Sequence, residues 1–294
     1  MMKRVKIAAD STCDLSRELL ERYDIELVPL VVNLGEDQYF DGVDIDPDRI
    51  YEHYEKTGQL PKTSAPSMAD FQTFFKKHTD EGCAVVFFTI SAEMSTTYNN
   101  ARLVAEDYED VFVVDTRNLS TGGGLLVVAA AEMARKGMTA QEIADACRAM
   151  VGRVDASFIV DDLEFLHKGG RCSAVAAFGA NLLQLKPCIV VQNGKMGVAK
   201  KYRGKFSVVL QKYISERIGD ASDIETDRVF VTHAGCDEAI VEQCVEQVKA
   251  SAPFAEVLLT RAGCTISSHC GRNTLGVLFI RKHDIVPGGT GETP

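Results

Sequence analysis

The run Cys83-Ala84-Val85-Val86-Phe87-Phe88-Thr89 constrains the fold more than any other stretch of the chain. An apolar run with no polar alternation makes a strand only if both its faces are buried, as in a parallel sheet covered by helices. Ile90-Ser91-Ala92-Glu93-Met94-Ser95-Thr96-Thr97-Tyr98-Asn99-Asn100 follows, and Ala101 to Ala105 reads as helix. A cluster of hydroxyls therefore lies at the carboxyl end of a buried strand, where ligands of open α/β sheets bind. The first amides of a helix lack partners, and the helix dipole favours an anion there. Ser95, Thr96 and Thr97 add neutral donors, and the stretch supplies no cation. That suits one small carboxylate better than a polyphosphate. The plainer alternative is that Ser95 only caps the helix.

The pattern repeats upstream. Val5 to Asp10 reads as a strand ending in Asp10-Ser11-Thr12-Cys13-Asp14-Leu15, with a helix from Ser16 to Tyr23. Asp10, with Ser11 beside it, is suited to organising hydrogen bonds between loops rather than to gripping an anion. Ile25 to Leu34 reads as a second strand, and Gly35 to Ile45 as a turn and short hairpin. Asp46 caps a helix that has Pro47 at its first position, runs from Asp48 to Lys56 and stops at Gly58. Pro61-Lys62-Thr63-Ser64-Ala65-Pro66-Ser67 is a third hydroxyl-rich loop, ahead of a helix whose Phe71, Phe74 and Phe75 share one face. Val111 to Asp115 is another buried strand, and Asp115 opens a further polar turn. The helix after it is apolar on nearly every side, so it is expected to be buried all round. Gly122-Gly123-Gly124 at its start costs about 1 kcal/mol per residue relative to alanine. Something must pack closely there: a neighbouring helix, or a ligand chain.

After a helix from Thr139 to Val151 the pattern changes. Strands at Ala156 to Val160 and Cys188 to Val191, an Asn193-Gly194 hairpin turn, an apolar and helical Ala174 to Leu183, and two more helix–strand pairs lead to a last strand, Thr274 to Ile280. The expected fold class is α/β. Residues 1–153 form an N-terminal domain with a parallel, doubly wound sheet, residues 154–283 a C-terminal domain with a mixed or antiparallel sheet and helices, and residues 284–294 a loose tail. A cleft between two such units is a frequent ligand site.

Composition removes several function classes. A net charge of −10 and a pI near 5.2 argue against nucleic-acid binding, which needs a basic face. Nine cysteines without a Cys-x-x-Cys pair read as reduced, buried small side chains in a cytoplasmic protein, with no metal site. No run has transmembrane length, and no secretory segment precedes the first strand.

The motifs then add up. Asp10-Ser11-Thr12-Cys13-Asp14-Leu15, Lys62-Thr63-Ser64-x-Pro66-Ser67, Ser95-x-Thr97-Tyr98, Asp115-Thr116, Leu163-x-x-Leu166-x-Lys168-Gly169-Gly170-Arg171 and His269-x-Gly271 occur in that order. Together they resemble the DegV family of bacterial fatty-acid-binding proteins, from about Lys6 to Arg281. The resemblance implies a carrier that buries a long-chain fatty acid, with no cofactor and no catalytic residue of its own. It also implies an ATP-dependent fatty acid kinase subunit as the partner that phosphorylates the bound carboxylate. By the same resemblance Thr63, Ser64, Ser95 and Thr96 hold the carboxylate, His269 sits beside it, and Arg171 faces the kinase from the mouth. Asp10, Ser11 and Asp115 support these loops. The chain departs from the family pattern at Thr96, where glycine is usual, at Ala65, at Cys270 and at Arg272-Asn273-Thr274.

The rival reading is an enzyme that performs phosphoryl transfer itself, or hydrolysis with Ser95 and His269. The chain has neither a Gly-x-x-x-x-Gly-Lys-[Ser/Thr] loop nor a Gly-x-Ser-x-Gly elbow. Lys195, Lys200, Lys201, Arg203 and Lys205 form a basic stretch. It reads as a solvated hairpin edge; a transient contact with an anionic membrane is the second reading.

Overall fold

The computed structural model describes residues 3–176 and 185–285. In the first half, β1 (Val5–Asp10) runs into a 3-10 turn, Ser11–Cys13, and then α1 (Arg17–Tyr23). There follow β2 (Glu26–Val28), β3 (Val31–Leu34), β4 (Asp37–Phe40), α2 (Pro47–Thr57), β5 (Lys62–Ser64) and α3 (Met68–Asp80). Then come β6 (Ala84–Thr89), α4 (Thr97–Ala105), β7 (Val111–Asp115), α5 (Thr121–Arg135) and α6 (Ala140–Met150). The second half contains β8 (Val154–Val160), α7 (Glu164–Gly169), α8 (Ser173–Ala176), β9 (Lys186–Gln192) and β10 (Lys195–Tyr202). It closes with α9 (Phe206–Ile218), β11 (Ile224–Ala234), α10 (Glu238–Ser251), β12 (Glu256–Arg261), α11 (Cys264–Cys270) and β13 (Thr274–Arg281).

The first sheet has the order β2-β1-β6-β7 and is parallel throughout. The apolar run from Ala84 to Thr89 is buried at every position, and its alternation is real but two-sided. Val85 and Phe87 pack with Phe71, Phe74 and Phe75 of α3 and Ala101 and Val104 of α4. Val86 and Phe88 pack on the opposite side with Leu126, Val127 and Ala130 of α5 and Ile143 of α6. The second sheet has the order β10-β9-β8-β13-β11-β12 and is antiparallel except for the β11–β12 pair. Its outer face is covered by α9 and α10 through Leu210, Tyr213, Ile214, Val241 and Val248. Its inner face shares a core with α5, which joins Phe158, Ile189, Phe230 and Leu278 to the side chains of the parallel sheet. The helix that reads as buried all round therefore lies between two sheets.

The glycines of α5 are packed by protein. A Cβ at Gly124 would lie 2.8 Å from the carbonyl oxygen of Cys13, and one at Gly122 would lie 2.2 Å from Oδ1 of Asn118. The close neighbours are a turn and a loop side chain, so neither a helix nor a ligand chain explains these glycines.

Three local expectations need correction. Ile25 to Leu34 is two strands in different sheets, β2 in the parallel one and β3 in a small antiparallel sheet of order β4-β3-β5. The break falls at Pro29, which has no N–H for a ladder. The loop after Pro61 contains strand β5, paired with β3 through Thr63 and Val32. The helices α7 and α11 were not anticipated at all. The Asn193-Gly194 turn does join β9 to β10, with positive φ at both residues, as a tight hairpin requires. Beyond Ala176 the expected helix to Leu183 lies outside the described residues, as does the tail from Val286. No helix among the described residues is long and apolar enough to cross a membrane.

Candidate functional site

One cavity of about 500 Å³ lies where the loops after β2, β6 and β7, strand β5, helix α11 and the inner face of the mixed sheet converge. Its interior is apolar, with Leu30, Ile90, Phe158, Leu166 and Leu278 all buried. Its more exposed lining is polar: Ser64, Thr96, Asn99 and Arg171. Thr63, Ser64, Ser95, Thr96, His269 and Arg171 all line this cavity. Asp10, Ser11 and Asp115 do not.

Two walls carry the polar groups. On the first, Ser95 precedes α4. Its Oγ lies 2.8 Å from Oγ1 of Thr97 and accepts the amide of Thr97 at 3.3 Å. Ser95 thus supplies a capping contact while facing the cavity, and Thr96 makes no side-chain cap. Asp10 and Asp115 hold this loop from behind. The buried Asp10 carboxylate accepts the amide of Ile90 at 2.7 Å and that of Thr12 at 3.0 Å. Asp115 accepts the amides of Ala92 at 3.2 Å and Arg117 at 2.8 Å. Burial pushes Asp10 up to about 6 and raises Asp115 as well. The hairpin of the other sheet clasps the same loop, because Ser91 Oγ donates to the carbonyl of Gly194 at 2.7 Å.

On the second wall, α11 carries His269. Its Nε2 lies 2.8 Å from Oγ1 of Thr63 on β5, and its Nδ1 has no hydrogen-bond partner among the described residues. Gly169 lies against that nitrogen; a Cβ there would come within 2.7 Å of Nδ1. Burial, and then the nearby Arg171 charge, pushes the His269 pKa down to about 4, so the imidazole is neutral at pH 7. Arg171 follows Gly170 in left-handed conformation, is exposed, and donates to the carbonyl of Gly169 at 2.9 Å.

Sequence reasoning missed what fixes α11. Asp41 accepts the amides of Cys264 at 2.7 Å and Thr265 at 3.0 Å, and Ser11 Oγ donates to it at 3.1 Å. Asp14 accepts the amide of Gly263 at 2.8 Å and the hydroxyl of Ser120 at 2.5 Å. Both carboxylates are buried at the positive end of a helix, where an anion is favoured. Also missed were Asn99, Thr232, His233 and Thr274 in the cavity lining. Thr232 ends the apolar run Val229 to Val231, a signal that could have placed it.

Chemically the site can bind an amphipathic molecule with an acidic end. It offers hydroxyls, a neutral imidazole and one arginine at its polar end. Ser95 and His269 make no hydrogen bond to each other among the described residues. Nor do those residues contain a group of three or more His, Cys, Asp or Glu side chains arranged to hold a metal ion.

Fold and site define an α/β protein of two large sheets with an amphipathic cavity between them. The chain belongs to the DegV family: the family model, described as an uncharacterised protein of the DegV family, matches residues 4–282. A DegV domain-containing protein of Clostridium perfringens is 30% identical over 96% of this chain and 100% of its own length. A fatty-acid-binding DegV family protein of Thermus thermophilus superposes with a TM-score of 0.85 at 30% identity, covering 95% of this chain and 99% of that one. A stearic-acid-binding protein of Eubacterium ventriosum gives 0.80 at 30% identity, covering 96% and 99%.

Proposed function

We propose that this chain is a cytoplasmic carrier that encloses a long-chain fatty acid and presents its carboxylate to an ATP-dependent kinase subunit. The carboxylate sits among Thr63, Ser64, Ser95, Thr96 and His269, and the chain lies along Ile90, Phe158, Leu166 and Leu278. The units expected at 1–153 and 154–283 then form the two sides of the ligand site. A carboxylate oxygen attacks the γ-phosphorus of the partner's ATP, giving acyl phosphate and ADP. Arg171, exposed at the mouth, meets the kinase or the phosphoryl group, for which a planar guanidinium is suited.

The observation that carries this reading is the continuity of an apolar interior with a hydroxyl-and-imidazole end in one cavity of about 500 Å³. That volume falls within the roughly 300–1,000 Å³ of small-molecule sites. Each buried methylene contributes roughly 0.8 kcal/mol, and a hydrogen bond to a charged group roughly 1.5–3 kcal/mol. The chain therefore sets most of the affinity and the hydroxyls set the position of the head. Support also comes from the solved relatives that bind fatty acids.

The test is mass spectrometry of lipid extracted from the denatured, freshly purified protein. One fatty acid per chain is expected. Protein that carries none, and whose melting temperature does not rise with added fatty acid, removes the proposal.

A further inference from the structure

A chain of three threonine hydroxyls crosses the wall of the cavity. Thr121 opens α5, Thr232 lies on β11, and Thr260 sits beside Thr232 on β12. Oγ1 of Thr232 is 2.6 Å from that of Thr121 and 2.9 Å from that of Thr260. All three residues are buried, and of the three only Thr232 lines the cavity.

Counting hydrogens gives this chain a direction. Three hydroxyls own three donor hydrogens, and two are used in the two mutual bonds. If the third sat on Thr121 or Thr260 it would be shut in the interior, where neither hydroxyl has a second hydrogen-bond partner among the described residues. A buried donor left without a partner is costly. The arrangement that avoids this has Thr121 and Thr260 both donating to Thr232. Both lone pairs of Thr232 are then occupied, and its own O–H turns toward the cavity as a pure donor. The strand neighbour offers Thr232 no side-chain acceptor. Gly276 lies directly across from Thr232 and also lines the cavity. A side chain there would collide with the carbonyl of Ser157, 2.7 Å from its Cβ.

We infer that the cavity is shaped for an acyl chain that carries an oxygen acceptor, an oxo or hydroxyl group, at the depth of Thr232. A plain hydrocarbon chain would leave the Thr232 donor facing methylene groups. An oxygen at that depth accepts it. Thr232 is thus a specificity-determining residue, distinct from the hydroxyls that meet the carboxylate. This inference rests on the carrier reading and deepens it.

The experiment compares binding of octadecanoic acid with a series of oxo-octadecanoic acids, the keto group moved stepwise along the chain. Delipidated wild type, Thr232→Val and Thr232→Ser are used. In wild type, one position in the series binds roughly 2- to 10-fold more tightly than the plain acid, the yield of one neutral hydrogen bond. Thr232→Ser keeps that preference and Thr232→Val abolishes it. If octadecanoic acid binds wild type and no oxo isomer surpasses it, the inference is overturned, whatever the variants do. A preference that survives in a folded Thr232→Val overturns it too. If neither the plain acid nor any oxo acid binds, the carrier reading itself has failed.

Discussion

The two polar walls of the cavity are built on opposite principles. At Ser95 itself the first wall is local: a strand ends, a loop turns, and a serine caps the next helix two residues on, while the long-range bonds to Asp10 and Gly194 fall on Ile90 and Ser91 before it. The His269 wall is remote: a helix of seven residues is held at its start by Asp14 and Asp41, which lie 249 and 223 positions away in sequence from the amides they accept. Local construction tolerates the loss of one hydroxyl. Remote construction concentrates the cost in a few buried carboxylates. The difference predicts that the most damaging substitution near this site lies on a residue that never touches the cavity.

Asp41→Ala is that substitution. It strips the acceptor from the amides of Cys264 and Thr265 and from the hydroxyl of Ser11, all buried. Hydrogen bonds to a charged group contribute roughly 1.5–3 kcal/mol each, so a loss of at least roughly 3 kcal/mol in unfolding free energy is expected. Urea unfolding measures it, and Asp41→Asn, which keeps one acceptor oxygen, should lose less. An Asp41→Ala protein as stable as wild type would erase the distinction between the walls.

Ser95→Ala tests the local wall and has a smaller effect. It removes a single capping bond of 3.3 Å, to the amide of the buried Thr97, so stability falls by about 1 kcal/mol. In the carrier reading, fatty-acid binding weakens roughly 10-fold, while binding of the methyl ester hardly changes. Phosphoryl transfer by the kinase falls much further, because it needs the head in position. Equal losses for acid and ester would show that Ser95 shapes the tunnel and does not recognise the carboxylate.

The same contrast explains what could be read from the sequence. The strand at Ala84–Thr89, the Asp46-Pro47 start of α2 and the Asn193-Gly194 turn each carry their signal within a few residues, and each appears where expected. The stretch Gly263-Cys264-Thr265-Ile266-Ser267-Ser268-His269-Cys270 is poor in helix formers and gives no such signal. It is helical because Asp14 and Asp41 satisfy its first amides, a fact no local pattern contains. Pro29 was visible, yet its consequence, two strands in two sheets, depends on which partners β3 finds. The apolar character of α5 announced burial. Only the second sheet revealed that what buries it is the partner layer and not a ligand.

The effect that is smallest at pH 7 is the most specific to the remote wall. His269 titrates near 4 in the folded protein against an ordinary value of 6.5, first because it is buried and then because of Arg171. Between those values the unfolded chain binds more protons than the folded one. The stability contributed by the neutral imidazole is therefore complete above pH 6.5 and is lost as the pH falls toward 4. Asp10 acts with opposite sign. Burial raises it from 3.8 to about 6, so in that window the folded state binds more protons and gains stability as the pH falls. The wild-type profile mixes the two, and His269→Gln separates them. The variant should gain on wild type as the pH is lowered from 7 to 4.5, with a slope of at most about 1.4 kcal/mol per pH unit. Urea unfolding at matched pH values measures the gap, and parallel profiles would mean that His269 is open to solvent in the folded state. The negative charge of a bound carboxylate offsets the positive charge of Arg171 and favours the imidazolium, so fatty acid should raise the His269 pKa. Carbon-13 titration of carboxyl-labelled fatty acid then differs between wild type and His269→Ala. Coincident titrations would leave the head group to the Ser95 wall alone.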